Sequence, residues 1–166
     1  MRVVFVPSTL ALLPEYASIE DPIADLRRAV DDAVAWLLED GPATAYRASP
    51  AAHRIAEHLL GTRRGDGPGA LVVANGSATR TEKAPGHFDE RAAGFDAAIG
   101  KALADGDPAA LADIDTILAE ELWAMPDADL LRSLADRFRP ATEALVDYDD
   151  APYGVQYWVV RWQCGS

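Results

Sequence analysis

The amino-acid sequence predicts one α/β domain over residues 1–166, built on a mostly parallel central sheet with helices on both faces. Runs rich in β-branched and aromatic residues, typical of buried strands, occur near the start, in the middle and at the end of the chain. Stretches with apolar residues at helical spacing lie between these runs. A length of 166 residues, 49% of them hydrophobic, suits a single folded domain.

The first strand and helix are predicted from the segment before Gly41. The run RVVFVP (2–7) is β-branched and aromatic and indicates a buried strand. Asp21 and Pro22 are typical of a helix start, and Gly41 is typical of a helix end. The residues at the spacing of one buried helix face are Ile23, Leu26, Val30, Val34, Leu37 and Leu38. ATAYRA (43–48) follows and predicts a short second strand.

A second helix and a central strand are predicted next. Ser49 and Pro50 repeat the cap-plus-proline pattern and open a helix that runs to Leu60. GTRRGDGPG (61–69) is a glycine-rich connection that lacks the residue order of a phosphate-binding loop. ALVVAN (70–75) is apolar along its whole length, which predicts a strand covered on both faces.

The second half of the chain predicts three helices and a final strand. Asp89 caps a helix that Gly106 ends, Asp107 and Pro108 open another, and Asp127 caps the third, which Pro140 kinks or divides. Their inward-facing residues are Ala92, Phe95, Ile99 and Leu103, then Leu111, Ile114, Leu118 and Leu122, then Leu130, Leu131, Leu134 and Phe138. GVQYWVVRW (154–162) predicts the final strand.

Composition excludes several classes of function. A net charge of −12 and a pI near 4.5 argue against nucleic-acid binding, which needs clustered Lys and Arg. Cys164 is the sole cysteine, so the chain has neither an internal disulfide nor a cysteine-based metal cluster. No run approaches 18 uninterrupted apolar residues, so no membrane helix is expected, and prolines interrupt the apolar start. We expect a cytoplasmic protein.

Two clusters invite a metal-binding interpretation, and each has a simpler one. His53 and Glu57 are four residues apart on a helix, but His58 points away from His53, so the three fit an exposed polar face. DYDDAPYGV (147–155) carries three aspartates without the spacing of a calcium loop, so a turn of aspartates is the expected structure. The sequence predicts no metal site and no cofactor.

The segment GSATRTEKAPGHFDER (76–91) is the best candidate for a functional site. It directly follows the apolar central strand, and ligands of open α/β sheets bind at the carboxyl ends of strands. Ser77, Thr79 and Thr81 offer hydroxyls, Glu82 and Lys83 are an adjacent acid and base, and His87 offers an imidazole that can give or take a proton. The same residues would also suit a turn with solvated side chains, and both interpretations remain open.

Three segments together resemble a known family. FVPSTLALLPEYA (5–17), residues 72–111 and DAPYGVQYWVVRW (150–162) are similar to actinobacterial proteins grouped with class III extradiol ring-cleavage dioxygenases, of the catalytic B-subunit type. The resemblance implies the fold of that subunit in reduced form and Fe(II)-dependent cleavage of catechol-type rings. It also implies iron held by two His and one carboxylate.

The implied metal ligands are not recognisable in this sequence. Ser8 stands where the family has a histidine, and Ala74 and Asn75 replace the glycine and aspartate of a G-D-G-S-A turn. No histidine occurs before His53, so the second histidine ligand is absent too. We therefore expect a dioxygenase-like protein that has lost metal-dependent ring cleavage and binds a small molecule or has an accessory role. Its expected ligand-binding residues are Ser8, Asn75, Ser77 and Thr81.

Two alternative functions remain. In the first, the chain is a metal-independent enzyme acting on a cyclic or aromatic compound, with His87, Glu82 and Lys83 as its catalytic residues. In the second, the chain is a structural protein that works through oligomer or partner contacts, with Trp158, Trp162 and Trp123 as candidate aromatic anchors. A homo-oligomer is expected because a short sheet leaves edges to cover.

Overall fold

The computed structural model describes residues 1–17 and 19–165, which form five strands and six α-helices. The strands are β1 (Arg2–Val6), β2 (Ala43–Arg47), β3 (Gly69–Val73), β4 (Ala141–Asp150) and β5 (Tyr157–Cys164). The α-helices are α1 (Ala24–Leu38), α2 (Pro50–Leu60), α3 (Ala92–Asp105), α4 (Pro108–Ala112), α5 (Thr116–Glu121) and α6 (Asp127–Ser133). Short 3₁₀ turns occupy Leu10–Leu12, Pro14–Tyr16 and Gly61–Arg63.

The five strands form one mixed sheet in the order β2-β3-β1-β5-β4. β2, β3 and β1 pair in parallel, whereas β5 is antiparallel to both β1 and β4. The prediction of an α/β fold is confirmed, but the prediction of a mostly parallel sheet is wrong. Residues 151–156 join β4 to β5 and are too few for the crossover that a parallel pair needs, so this half of the sheet is antiparallel.

Helices cover both faces of the sheet, as predicted. Alternate residues of β1 divide between two cores, because successive side chains of a strand point to opposite faces. Val4 and Val6 pack with α1 and α2, while Val3 and Phe5 pack with α3, α4, α5 and α6. β3 is buried along its whole length, as its apolar sequence predicts.

The helix starts agree only in part with the prediction. The Ser49 hydroxyl accepts a hydrogen bond from the Ala52 backbone N–H at 3.1 Å, as expected of the first residue before α2. α1 begins at Ala24 rather than at Pro22, and the Asp21 carboxylate accepts from the Ile23 N–H before the helix starts. The Asp89 carboxylate likewise accepts from the Arg91 N–H one turn before α3 instead of capping it.

The single helix predicted after Asp107 is two helices, α4 and α5. The Asp115 carboxylate accepts from the backbone N–H groups of Ile117 and Leu118 and starts a new helix inside a continuous apolar pattern. α6 ends at Ser133, so Pro140 precedes β4 and divides no helix. Asp127 is the first residue of α6 but does not cap it, because its side chain bonds to residues distant in sequence.

The three aspartates predicted to form a turn lie instead in or at the end of the edge strand β4. Asp147 forms an ion pair with Arg161 at 2.7 Å, whereas Asp149 accepts a hydrogen bond from Gln156. The two carboxylates therefore do not converge. An edge strand with one solvated face tolerates many charged residues, which is why its sequence resembles a loop.

Three further features bear on the partner predictions. β2 and β4 are the two edge strands, and β4 exposes Leu145 and Val146. Trp158 and Trp162 are buried in the core, whereas Trp123 is 59% exposed. Within residues 1–17 and 19–165, no helix has both the length and the apolar character needed to cross a membrane.

Candidate functional site

The carboxyl ends of β1 and β3 form the point of the sheet where ligand sites of α/β proteins occur. The chain leaves β1 toward α1 on one face and leaves β3 toward α3 on the opposite face. β1 and β3 are parallel neighbours, so the two departing segments diverge, and a divergence of this kind is where open α/β sheets bind ligands in a crevice. Ser8 and Asn75 lie at this point, each two residues after the end of its strand.

Ser8, Asn75 and Asp127 are joined in one hydrogen-bonded group. The Ser8 backbone N–H donates to the Asn75 side-chain oxygen at 2.8 Å. The Ser8 hydroxyl donates to Asp127 Oδ2 at 2.8 Å, and the Asn75 backbone N–H donates to the same oxygen at 3.0 Å. We call these three residues the crevice cluster. The structure thus brings together two of the predicted ligand-binding residues, with a carboxylate from α6 that the sequence did not predict.

The second side-chain oxygen of Asp127 has no hydrogen-bond partner within residues 1–17 and 19–165. Asp127 is 8% exposed, and among the described residues its Oδ1 atom is buried without a hydrogen bond. Burial removes water from the charged form and raises the pKa of Asp127 above its ordinary value of 3.8. The hydrogen bonds from Ser8 and Asn75 oppose this shift in pKa but do not cancel it. A buried acceptor without a donor is costly, and this makes Asp127 the least satisfied acid of the site.

Ser77 lies beside a different carboxylate, that of Asp96 on α3. Its backbone N–H donates to Asp96 Oδ1 at 2.8 Å and its hydroxyl donates to Oδ2 at 2.6 Å. Both residues are buried. Gly76 makes this approach possible, since a Cβ atom at this position would lie 2.6 Å from Asp96 Oδ1 and 2.6 Å from the Trp158 ring.

Asp96 belongs to a polar chain that reaches the surface. The Arg80 guanidinium Nη1 donates to Asp96 Oδ2 at 3.3 Å and to Gln156 Oε1 at 2.7 Å. Gln156 Nε2 in turn donates to Asp149 Oδ1 at 2.7 Å. Burial is the main cause that raises the pKa of Asp96, and the bonds from Ser77 and Arg80 lower it in part. An open cleft of about 380 Å³ lies over this chain, which we call the Arg80 cleft.

The residues predicted to be catalytic do not gather in an enclosed site. Glu82, Lys83 and His87 are all exposed. Glu82 and Lys83 line a shallow surface depression with Thr81, Pro152 and Tyr153, whereas His87 lies outside that lining. Thr81 is exposed in the same loop and approaches Gly154, where a Cβ atom would lie 2.6 Å from the Thr81 hydroxyl.

The loop that carries these residues is held firmly by its backbone. The Ala78 N–H donates to the Leu122 carbonyl at 3.0 Å, the Arg80 N–H to the Gly154 carbonyl at 3.0 Å, and the Asp89 N–H to the Thr79 carbonyl at 3.0 Å. The loop therefore joins the α5 region to the connection between β4 and β5. The Thr79 hydroxyl is buried in it and has no hydrogen-bond partner within the described chain.

The donor set at the crevice does not fit the iron centre that the resemblance implies. Ser8 offers a neutral hydroxyl, Asn75 a neutral amide and Asp127 the one carboxylate, whereas Fe(II) sites of this type use two imidazoles. His53 and His58 lie on α2, and His87 lies in an exposed loop. In the described part of the chain, no group of three or more His, Cys, Asp or Glu is arranged to hold a metal ion.

Four residues of the two polar clusters were not predicted from the sequence to belong to a site, namely Arg80, Asp96, Asp127 and Gln156. One of them carried a usable signal. Asp96 follows Ala92 by four residues and precedes Ile99 by three, so helical spacing places its carboxylate on the buried face of α3. A charged residue at a buried helix position needs a partner, and this requirement alone would have marked it.

Two comparisons of the sequence with known proteins found no match. No protein-family model matches its sequence, and no curated protein is significantly similar to it.

Proposed function

We propose that this protein binds a small molecule in the crevice between the ends of β1 and β3, without a metal ion. We further propose that it is a class III extradiol dioxygenase-like protein that has lost metal-dependent ring cleavage. The support for a binding site is the topology at β1 and β3 together with the crevice cluster. The support for the second part is the sequence resemblance, combined with a donor set that does not fit iron.

The observation that carries the proposal is the half-satisfied carboxylate of Asp127. Its Oδ2 atom already accepts from Ser8 and Asn75, which fix its position, and its Oδ1 atom lacks a donor among the described residues. A ligand hydroxyl would supply that donor through a charge-assisted hydrogen bond. Ser8 and Asn75 are only partly buried, so the proposed ligand would approach the cluster from their exposed side.

The crevice favours a neutral ligand with a hydroxyl group. Such a molecule can donate a hydrogen bond to Asp127 Oδ1. It also needs no positively charged partner, and the cluster contains no cationic residue. Catechol is the appropriate probe, because it carries two adjacent hydroxyls on a flat ring and represents the substrate class that the resemblance implies. 1,2-Dimethoxybenzene is its matched control, since it keeps the ring and both oxygens but has no hydroxyl to donate.

NMR titration of isotope-labelled protein tests the binding proposal. Catechol should shift the backbone amide signals of Ser8, Asn75 and Asp127, and 1,2-dimethoxybenzene should leave them in place. Asp127→Asn should weaken catechol binding about tenfold, because a hydrogen bond to a charged acceptor becomes one to a neutral acceptor. The control is Asp129→Asn, which makes the same change in charge at an exposed position of α6 and should leave the Kd unchanged.

Two results would count against the proposal. Catechol that shifts only signals remote from Ser8, Asn75 and Asp127 would place the site elsewhere. Formation of a ring-opened product from catechol by the protein with added Fe(II), beyond that of a protein-free mixture, would show that ring cleavage has been kept.

A further inference from the structure

We propose that the Arg80 cleft is a second ligand site, which takes a small zwitterion of the α-amino-acid class. The cleft lies between α3 and the connection from β4 to β5 and uses no residue of the crevice cluster. The two sites are therefore independent, and either proposal can fail without the other.

The cleft has the size and walls of a small-molecule site. Its volume is about 380 Å³. The helical wall is made of small residues, Ala93, Ala97 and Gly100, which face the cleft on successive turns of α3. Ala151 lies on the opposite wall. These small residues leave room for the aliphatic part of a ligand, and the rest of the lining is polar, namely Arg80, Asp96, Asp149, Asp150 and Gln156.

The cationic group of the cleft, the Arg80 guanidinium, is held in place by one nitrogen and keeps its other nitrogens available to a ligand. Arg80 is anchored through Nη1, which donates to both Asp96 and Gln156. Its Nε and Nη2 atoms have no hydrogen-bond partner among the described residues, and 30% of the side chain is exposed. A guanidinium with two free donor nitrogens presents a planar fork, which is the geometry that binds a carboxylate.

The anionic groups of the cleft are equally available. Asp149 Oδ1 accepts from the neutral amide of Gln156, and Asp149 Oδ2 has no hydrogen-bond partner within the described residues. Asp150 lines the same cleft and accepts from the Ala151 backbone N–H. Neither aspartate forms an ion pair with a described residue, so their charge is free to bind an ammonium group.

The Gln156 side chain shows which ligand fits between these groups. Its amide oxygen accepts from Arg80 and its amide nitrogen donates to Asp149, so one small planar group spans the cation and the anion. An α-amino acid presents a carboxylate acceptor and an ammonium donor at a comparable separation, in the same order and with full charges. Lying beside Gln156 in the cleft, it would meet the free nitrogens of Arg80 and the free oxygen of Asp149.

A ligand of one charge fits the cleft less well. An anion would meet Arg80 but would be repelled by Asp149 and Asp150, whereas a cation would meet these aspartates but would leave the free nitrogens of Arg80 without an acceptor. Only a molecule that carries both charges gains from both ends of the cleft.

Matched probes test the requirement for both charges. L-serine and L-leucine are titrated into isotope-labelled protein, each beside its decarboxylated counterpart (ethanolamine, isoamylamine) and its deaminated counterpart (3-hydroxypropanoate, 4-methylpentanoate). At least one amino acid should shift the amide signals of Arg80, Ala97, Asp149 and Gln156. The counterparts that lack one charge should bind at least about tenfold more weakly than the parent amino acid, because each loses a charge-assisted contact.

Two pairs of variants localise the binding. Asp149→Asn should weaken amino-acid binding about tenfold, whereas Glu143→Gln, with the same change in charge on an exposed part of β4 outside the cleft, should not. Ala97→Leu should block binding by filling the cleft. Ala98→Leu is its control, because it enlarges the next exposed residue of α3, which does not line the cleft. Ala97 is exposed on a helix, so its replacement by leucine leaves the fold intact.

Three results would overturn the proposal. The first is that neither amino acid shifts the signals of the cleft. The second is that an amine or an acid alone binds as tightly as its parent amino acid. The third is that Ala97→Leu and Ala98→Leu bind the probe with equal affinity.

Discussion

Asp96 and Asp127 are the two buried carboxylates among the described residues, and both bond to residues that directly follow β3, but they differ in how fully they are bonded. Asp96 accepts on both oxygens, from the Ser77 backbone, the Ser77 hydroxyl and the Arg80 guanidinium. Asp127 accepts on one oxygen only, and its other oxygen is buried without a partner among the described residues. Burial raises the pKa of both acids, but only Asp96 has a cation beside it.

This difference separates a structural acid from an acid available to a ligand. A buried polar network whose members are all bonded makes the local structure rigid, and removing one member leaves several groups unpaired. A half-bonded carboxylate stabilises the fold less, since it carries a desolvation cost that nothing fully offsets. Asp96 therefore fixes the loop that begins at Ser77, and Asp127 is the group that would gain most from a ligand.

The largest expected effect is on the free energy of unfolding after removal of each carboxylate. Asp96→Ala leaves the Ser77 N–H and hydroxyl buried without an acceptor and should destabilise the protein by about 3 kcal/mol. Asp127→Ala removes an acceptor that was itself only half satisfied, and should cost about 1 kcal/mol. Urea unfolding followed by circular dichroism measures both.

The control for this pair is Asp105→Ala, which removes an exposed carboxylate that pairs with Lys101 on α3, and which should change stability by about 0.5 kcal/mol or less. The proposed difference between the two buried acids would be refuted if Asp127→Ala proved as destabilising as Asp96→Ala.

The second expected effect is a dependence of the free energy of unfolding on pH, caused by Asp127. Its pKa in the folded chain lies above the ordinary value of 3.8, so the folded chain holds more protons than the unfolded chain between 3.8 and that pKa. The contribution of Asp127 to stability is complete below this window and is lost as the pH rises through it. Asp127→Asn has no such proton, and its stability relative to the unsubstituted protein should therefore increase with pH.

Unfolding curves of the two proteins at about pH 4 and about pH 7 measure this change, and each unit of raised pKa corresponds to about 1.4 kcal/mol. Asp129→Asn, at an exposed position, serves as the comparison and should follow the unsubstituted protein at both pH values. A difference in stability that stays constant between the two pH values would mean that the pKa of Asp127 is not raised in the fold.

Much of the fold could be predicted from the sequence, because the decisive patterns are local. The strands β1, β2 and β3 and the cap at Ser49 follow from β-branched runs and from one hydroxyl placed before a proline. The direction of β5 could not be predicted, since it depends on pairing with β4, which presents the polar sequence of a loop. The division between α4 and α5 was missed because one capping aspartate interrupts an otherwise continuous helical pattern.

The candidate site was predicted less completely, because its groups come from distant parts of the chain. Ser8 and Asn75 were singled out through the family resemblance, as residues that replace implied metal-site residues, and the structure joins them by a hydrogen bond. Asp127 lies 119 residues from Ser8, and its sequence position after a proline has the ordinary meaning of a helix start. Only the packing of α6 against the sheet reveals its role. Arg80 and Gln156 likewise meet across 76 residues.

The smallest expected effect concerns the hydroxyl of Ser8. Ser8→Ala removes one of the two donors to Asp127 Oδ2 and should lower stability at neutral pH by about 1 kcal/mol or less, because Ser8 is partly exposed and water replaces part of the lost bond. The pKa of Asp127 should rise further, since the hydrogen bond from Ser8 is the first of the effects that lower it. Stability should consequently fall more at about pH 7 than at about pH 4.

Ser133→Ala, which removes an exposed hydroxyl bonded to the Leu130 carbonyl on the same helix, should show no such dependence on pH. If both serine variants lose the same stability at both pH values, then Ser8 does not act through the charge of Asp127.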